Sequence, residues 1–251
     1  MVQQYELYTP EHQWVWKQLF GRQMDNLQGK ATDLHCENVV LLKDVFNGDA
    51  IPYLDKLSTT LYSKTGWQIH IVKGFIPAAD FLELLSERKF AASTWLRKPE
   101  ELDYLEEPDM FHDVFGHLPV LGNEAYAHFV HEVGKLGHKF SNNAVCIDLI
   151  ERFYWYTIEF GLVKENDVTK IFGAGIISSF GESKRIFEDE SAIIKPFSLQ
   201  EILYLPFDKS SIQPVYYVAD SFEQLYGTLP LLEQILEETY EKETRMVIGN
   251  R

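Results

Sequence analysis

The chain has 251 residues, of which 45% are hydrophobic and 14% aromatic. This apolar content supports a sizeable core and excludes a disordered polymer. The formal net charge of −15 at pH 7 repels phosphate backbones and anionic lipid surfaces, so we expect neither a nucleic acid nor a membrane as partner. No stretch approaches the roughly 18 apolar residues that span a bilayer.

The cysteine content indicates a reducing compartment. Cys36 and Cys146 are too few for a disulfide scaffold, and we expect both to be small buried hydrophobic residues. The first residues of the sequence have neither the basic nor the apolar region of a signal peptide. We therefore expect a cytoplasmic protein.

Apolar spacing in the first third of the chain predicts helices and one short strand. Residues 11–24 and 38–46 have helical periodicity, and residues 67–72 alternate as in a strand. Gly74 and Pro77 then interrupt the pattern, and we expect Asp80 to cap the next helix.

The remaining chain adds three helical regions. Residues 124–140 form an amphipathic pattern, and residues 144–160 are apolar on almost every side, which predicts a central buried helix. Residues 221–246 begin with a capping-box-like sequence, and Pro230 is expected to kink or interrupt this last helix. The sequence predicts one domain, mostly α with a few short β-strands.

Two histidines lie within the sequence PDMFHDVFGHLP, which starts at Pro108. His112 and His117 are five residues apart, which on an α-helix places them roughly 140° apart. We therefore expect the helix to break at Gly116, through a left-handed glycine, and Pro119 to prevent its continuation. The pair taken alone is explained most simply by one histidine at a helix end and one on the surface.

Glu159 changes this interpretation because it is a single carboxylate within the aromatic sequence FYWYTIEFG. Asp148 and Arg152 already supply a polar stripe to the same helix and are spaced to pair. A buried carboxylate without a partner costs several kcal/mol, so Glu159 needs a cation, a basic partner or a proton. Two imidazoles and one carboxylate form the set that holds non-haem Fe(II), and we interpret His112, His117 and Glu159 as that set.

These motifs resemble those of the pterin-dependent aromatic amino acid hydroxylases. The similarity comprises PDMFHDVFGHLPVL, then YWYTIEFGL, then FGAGIISSFGE, and it is greatest to the bacterial phenylalanine 4-hydroxylases through WLRKPEELDY just upstream. The resemblance implies the catalytic domain of that family, with His112, His117 and Glu159 as Fe(II) ligands. It also implies O2 as co-substrate and a tetrahydropterin, either tetrahydrobiopterin or a bacterial analogue, as the electron donor.

The resemblance also implies roles for residues around the metal. The substrate is then a small aromatic amino acid, L-phenylalanine converted to L-tyrosine, with tryptophan or tyrosine as alternative substrates. Arg97 would hold the substrate carboxylate, which suits the planar fork of a guanidinium, although alone it could be a surface ion pair. The other implied residues are Ser178, Trp155 and Pro108 around the amino acid and Phe81, Leu82 and Asp113 near the pterin.

The domain organisation follows from the same resemblance. We expect residues 1–251 to be a single catalytic domain, without the regulatory domain or the long oligomerisation helix of the animal enzymes, and to be monomeric. Residues 207–212 are more polar than the family's substrate region, which leaves the preferred aromatic ring open.

Several alternatives remain. A His/His/Glu zinc hydrolase would need HExxH spacing, and Asp113 follows the first histidine instead. A binding module without catalysis could use the same pocket.

Three glycines and three histidines also have simpler explanations. The spacing of Gly173, Gly175 and Gly181 matches no phosphate loop and indicates close backbone packing. The three histidines His128, His131 and His138 share one helix; the first two could bind a metal but lack a matching acid, so we interpret them as residues of a polar face.

Overall fold

The computed structural model describes residues 1–103, 105, 107–189, 191–209 and 211–249, with the side chains of the last helix described up to residue 245. Tyr104 and Ser210, which belong to stretches discussed above, therefore lie outside the described residues. The helices are α1 (Pro10–Asn26), α2 (Asp33–Leu41), α3 (Leu54–Thr65), α4 (Ala78–Ser86), α5 (Leu118–Leu121), α6 (Glu124–Lys139), α7 (Ala144–Tyr154), α8 (Ala174–Ser178), α9 (Phe180–Glu188), α10 (Leu199–Tyr204), α11 (Phe222–Gly227) and α12 (Leu229–Gly249).

Short strands form two small sheets between these helices. The strands are β1 (Gln68–Ile71), β2 (Lys89–Ala92), β3 (Gly161–Glu165), β4 (Val168–Ile171), β5 (Ile193–Pro196) and β6 (Val215–Ala219). Strands β1 and β2 pair in parallel, and the other four have the order β4-β3-β6-β5, with only the β3–β4 pair antiparallel. The predicted mostly helical fold with a few short strands is confirmed.

The predicted elements agree best where the apolar period is long. Helices α1, α6 and α7 and strand β1 occur where they were expected. The helix predicted at 38–46 instead starts earlier, as α2, because the Thr32 side chain accepts a hydrogen bond from the backbone N–H of His35 and caps it. Helix α3 was not predicted; it buries Leu57 and Leu61 and ends at Gly66, whose φ of 76° is left-handed.

Proline positions explain two further differences. Pro77 precedes α4 as its N-cap, so the prediction that Asp80 caps this helix was wrong, and Asp80 lies in the first turn. Ser221 caps α11 as expected, accepting from the N–H of Gln224. The predicted helix is interrupted between α11 and α12, and Pro230 lies in the first turn of α12. Backbone N–H groups in a first turn have no partner within the helix, so a proline there costs no hydrogen bond.

Aromatic side chains form the part of the core that supports the first histidine motif. Trp16, Phe20 and Phe46 pack around Phe111 and Phe115, with ring centroids 4.8–6.2 Å apart. All five side chains are buried. Aromatic contacts of this kind add about 0.5–1.5 kcal/mol each beyond their buried area, so the backbone around His112 rests on a rigid layer.

Helix α4 packs directly against α6, which has small residues at the contact. A Cβ on Gly134 would lie 2.4 Å from the backbone nitrogen of Ser86, and one on Gly137 would lie 2.4 Å from the Cβ of Leu82. This close approach fixes the position of α4 relative to α6, and α4 lines the large cavity described below.

The free cysteines and the helix lengths test two expectations. Cys146 is buried as expected, whereas Cys36 is only partly buried, because it lies on the half-exposed helix α2. Among the described helices, none is both long and apolar enough to cross a membrane.

Candidate metal centre and active site

Two π-helical turns carry the histidines and the glutamate. The helix that begins at Met110 becomes π-helical over His112–His117 and then continues as α5. The expected break at Gly116 was wrong, since the described glycines with left-handed φ are Gly29 and Gly66. Pro119 was also expected to stop the helix, but it lies in the first turn of α5. A π turn bonds residue i to residue i+5, so residues five apart face the same side, and such turns frequently occur at functional sites.

Gly116 fits this turn against helix α8. A Cβ at Gly116 would lie 2.8 Å from the carbonyl oxygen of Ala174, closer than side chains tolerate. The first π turn can therefore approach α8 only because residue 116 lacks a side chain.

Helix α7 ends in the second π turn, Trp155–Glu159, where the N–H of Phe160 donates to the carbonyl oxygen of Trp155 at 2.9 Å. The start of α8 packs on this turn. A Cβ on Gly173 would lie 2.5 Å from the Glu159 carbonyl oxygen, and one on Gly175 would lie 2.7 Å from the Phe160 ring. Close packing was correctly predicted for these two glycines.

Gly181 does not share this role. The atom nearest to a Cβ added there is 3.6 Å away, at ordinary contact distance, so the prediction of close packing was wrong for this glycine. Gly181 lies in the first turn of α9, away from the π turns, which explains the difference.

The three side chains converge on one point. Glu159 Oε1 lies 3.4 Å from His112 Nε2 and 3.3 Å from His117 Nε2, and the two Nε2 atoms are 3.3 Å apart. Ligands at right angles around an ion, with bonds of about 2.1 Å, are separated by about 3.0 Å. The donor atoms therefore have nearly the separations of three ligands on one face of a metal ion.

The polar atoms of this cluster also fit a cation. Glu159 Oε2 is buried and has no hydrogen-bond partner in the described part of the chain. Burial opposes ionisation of Glu159, but the neighbouring imidazoles outweigh it and lower the pKa of the carboxyl. A charged carboxylate beside two imidazole nitrogens is the donor set of non-haem Fe(II) sites, so the residues present fit an iron ion.

Ser178 contacts the first histidine rather than open solvent. Its Oγ lies 2.8 Å from Nδ1 of His112, at the end of α8. A hydrogen bond to the second ring nitrogen fixes the orientation of a metal-binding imidazole and leaves Nε2 as the donor atom.

Arg97 is buried rather than part of a surface pair. Its Nε and Nη2 both donate to the Asp109 carboxylate at 2.9 Å, and its side chain is 4% exposed. Burial opposes ionisation of Asp109, but Arg97 outweighs it and lowers the pKa of the carboxyl. Of the five guanidinium N–H groups, two donate to Asp109, and the other three have no partner among the described residues and can reach a ligand.

Sequence reasoning missed Asp109. Its Oδ1 also accepts from the N–H of His112 at 3.0 Å and so caps the helix that begins at Met110. The signal was present, since an aspartate before a helical run is an N-cap pattern.

A cavity of about 610 Å³ lies over the cluster of His112, His117 and Glu159. Its walls include every residue that the sequence assigned to substrate or pterin: Arg97, Ser178, Trp155, Pro108, Phe81, Leu82 and Asp113. Phe81 lies edge-on against Tyr154 and Phe90, and burial raises the pKa of Asp113, which accepts from the N–H of Ser93 at 2.7 Å. Pro108 is exposed and lies at the rim.

Two contacts hold the side chain of Trp155 in the wall of the cavity. Its ring stacks on Phe207, with centroids 4.5 Å apart, and its Nε1 donates to Oε1 of buried Gln213 at 2.9 Å. Gln213 was not identified from the sequence, because nothing local marks an amide that acts across the fold. Lys209 and Ser211 also line the cavity, so the polar stretch reaches the expected substrate region.

Comparison with known proteins decides the family. Residues 3–244 match the biopterin-dependent aromatic amino acid hydroxylases. The chain belongs to this family. Among relatives of this hydroxylase, the phenylalanine-4-hydroxylase of Ralstonia nicotianae is 38% identical over 226 residues, which cover 90% of this chain and 71% of the relative.

Solved structures of the family have the same fold. Phenylalanine hydroxylase of Chromobacterium violaceum with bound iron(III) and 7,8-dihydrobiopterin matches this hydroxylase with a TM-score of 0.87 and 37% identity, covering 94% of this chain and 86% of that chain. The apo cold-active phenylalanine hydroxylase of Colwellia psychrerythraea matches with a TM-score of 0.84 and 32% identity, covering 95% and 94%. The comparisons give no support to the zinc hydrolase alternative.

Proposed function

We propose that this hydroxylase is a non-haem Fe(II), tetrahydropterin- and O2-dependent monooxygenase that converts L-phenylalanine to L-tyrosine. The observation that carries the proposal is the convergence of His112, His117 and Glu159, with donor atoms 3.3–3.4 Å apart, on the wall of a large cavity. These three residues would hold Fe(II). Bound iron and pterin would together activate O2, so that one oxygen atom enters the ring and the other leaves on the pterin.

The amino acid would be oriented by its carboxylate. Three free N–H groups of Arg97 are available to it, while Asp109 prevents the guanidinium from rotating. Trp155 and Pro108 would enclose the ring, and the stacked Trp155–Phe207 pair would exclude water from it. Ser178 would act at the same end of the site by orienting His112.

The pterin would occupy the side of the cavity formed by α4. Phe81 presents a half-exposed ring there, beside buried Leu82, and is suited to stack on a flat heterocycle. Asp113 lies next to this side and would accept a hydrogen bond from the cofactor.

An aerobic assay with Fe(II), a tetrahydropterin and each of phenylalanine, tyrosine and tryptophan tests the proposal. We expect tyrosine from phenylalanine, identified by chromatography, and none without O2 or pterin. Preferential turnover of tyrosine or tryptophan would keep the chemistry and change the substrate, which the polar stretch 207–212 leaves open. Binding without turnover of any of the three would indicate a binding module and overturn the proposal.

A second arm tests the residue roles. Arg97→Ala should raise the KM for the amino acid by about 10- to 150-fold, since a hydrogen bond to a charged group contributes about 1.5–3 kcal/mol, with a smaller effect on iron affinity. His112→Ala and His117→Ala should lose both iron and turnover. Tight iron binding with normal activity in either histidine variant would contradict the ligand assignment.

We further propose that residues 1–251 act as one catalytic domain, cytoplasmic and monomeric. One continuous core and a family match over residues 3–244 support a single domain, and two free cysteines agree with a reducing compartment. Sedimentation of the purified chain at several concentrations measures the oligomeric state, and a concentration-dependent dimer would contradict the monomer.

A further inference from the structure

Helix α6 carries a second cluster of two histidines and a carboxylate, outside the catalytic cavity. Glu132 Oε1 lies 3.8 Å from Nδ1 of His131 and 3.9 Å from Nδ1 of His128, and the three donor atoms lie within 4.8 Å of one another. The sequence interpretation that these histidines lack a matching acid was wrong. Glu132 lies four residues after His128, on the same helical face.

The hydrogen bond of His131 to the backbone leaves its other ring nitrogen, Nδ1, without a proton, and this nitrogen faces the carboxylate of Glu132. Its Nε2 lies 3.0 Å from the carbonyl oxygen of Ser86, at the end of α4, and must therefore donate. In the neutral imidazole, Nδ1 then carries a lone pair. This atom is buried and has no hydrogen-bond partner among the described residues.

This arrangement is that of a metal-binding histidine. Such a residue usually donates one ring N–H to a backbone carbonyl and points the other nitrogen at the metal. Tetrahedral zinc with bonds of about 2.0–2.2 Å separates its ligands by about 3.3 Å. The two distances to Glu132, 3.8 and 3.9 Å, need to shorten by about half an ångström, and the two histidine nitrogens lie within 4.8 Å of each other. Rotation of the half-exposed Glu132 and the exposed His128 can bring the three atoms closer together.

We propose that His128, His131 and Glu132 bind a divalent zinc ion, with water at the fourth position. Imidazole and carboxylate ligands suit Zn²⁺. The competitor for the carboxylate is Lys135, whose Nζ lies 3.0 Å from both Glu132 oxygens. Its side chain is 54% exposed, so this pair contributes little in water and the lysine can turn away. All three ligands lie on α6, so the zinc ion would order the side chains of this helix, including His131, which already donates to Ser86 at the end of α4.

Equilibrium dialysis against Zn²⁺ with elemental analysis tests the proposal. The His112/His117/Glu159 cluster also has zinc-compatible donors, so the unaltered protein should bind two ions per chain, and His112→Ala should retain the ion on α6. His128→Ala should retain only the other ion. His138→Ala removes an exposed histidine from the same helix and should retain both.

Lys135→Ala gives a readout that misfolding does not imitate. Removing the competing ammonium should tighten zinc binding at this site several-fold, whereas general damage would weaken it. No zinc ion in His112→Ala, two in His128→Ala, or unchanged affinity in Lys135→Ala would each overturn the proposal. None of these outcomes depends on hydroxylase activity.

Discussion

The Asp109 carboxylate accepts four hydrogen bonds, and they connect Arg97, the proposed substrate-binding residue, to the segment that carries His112, a proposed metal ligand. Three come from the backbone and guanidinium of Arg97, and one comes from the backbone N–H of His112. The side chain is fully buried. A single residue therefore sets both the direction of Arg97 and the start of the π-helical segment.

Replacing Asp109 by Asn should destabilise the protein strongly. Breaking a buried ion pair leaves the other charge uncompensated, which costs about 3–5 kcal/mol in the free energy of unfolding. Chemical denaturation measures this change. The control is Asp103→Asn, because Asp103 pairs with Arg22 but is 82% exposed, and exposed pairs contribute about 0–1 kcal/mol. Equal losses in both variants would contradict the role given to Asp109.

The same pair predicts a dependence on pH. The pKa of Asp109 is lowered in the folded protein, so its stabilisation is complete above the unfolded pKa of about 3.9 and is lost as the pH falls through the folded value. The stability difference between the unaltered protein and Asp109→Asn should therefore narrow below about pH 4. Denaturation curves from pH 3 to 7 measure it, and a constant difference would be inconsistent with this account.

At the scale of elements, the two π turns decide where the donors point. His112 and His117 occupy the ends of the first turn, and Glu159 ends the second. An α-helix over the same residues would separate the two histidines by roughly 140°. Local sequence did not reveal this, because a π turn is a less favourable helix that persists where packing selects it. Here the packing partner is α8, with its closely fitted glycines.

Gly116→Ala should therefore weaken the metal site from a distance. Its new Cβ would meet the carbonyl oxygen of Ala174 at 2.8 Å, and backbone must shift to relieve the contact. We expect a loss of about 1–3 kcal/mol in stability and a loss of about 10-fold or more in iron affinity, measured by denaturation and by iron titration.

Gly21→Ala is the matched control for this change. Gly21 lies inside α1 with nothing within 4 Å of an added Cβ. Alanine there should raise stability by about 0.5–1 kcal/mol and leave iron binding unchanged. Normal iron affinity in Gly116→Ala would show that the turn tolerates the contact.

At the scale of the whole molecule, the proposed metal ligands come from segments that are distant along the chain. The first π turn follows the Arg97 loop, whereas the second ends the buried helix α7. Binding to the folded state alone adds about 4 kcal/mol at a thousand-fold excess over Kd. Loading with Fe(II) should therefore raise Tm, and chelation should reverse the rise.

Variants identify which cluster is responsible for that rise. Glu159→Gln should abolish most of the Fe(II)-dependent increase in Tm, since it removes one of the three converging donors. Glu132→Gln, in the cluster on α6, should keep it. Differential scanning calorimetry measures Tm with and without Fe(II). An undiminished Fe(II)-dependent increase in the Tm of Glu159→Gln would contradict the proposed iron ligands.

The sequence by itself determined the residue types of the site and most long helices. Apolar periodicity and capping are local, which is why α1, α6 and α7 were predicted near their observed bounds. A lone carboxylate within an aromatic sequence indicated a cation or a basic partner beside Glu159. In the structure, the carboxylate of Glu159 lies next to the imidazoles of His112 and His117.

Only the tertiary structure decided how these residues meet. The π turns, the Arg97–Asp109 pair, the Gln213 contact with Trp155 and the unpartnered nitrogen of His131 beside Glu132 depend on packing between elements. Spacing along a chain specifies angles only for an assumed helix type. The choice between α and π geometry, and the choice of a partner for each buried charge, are fixed by the free energy of the assembled core.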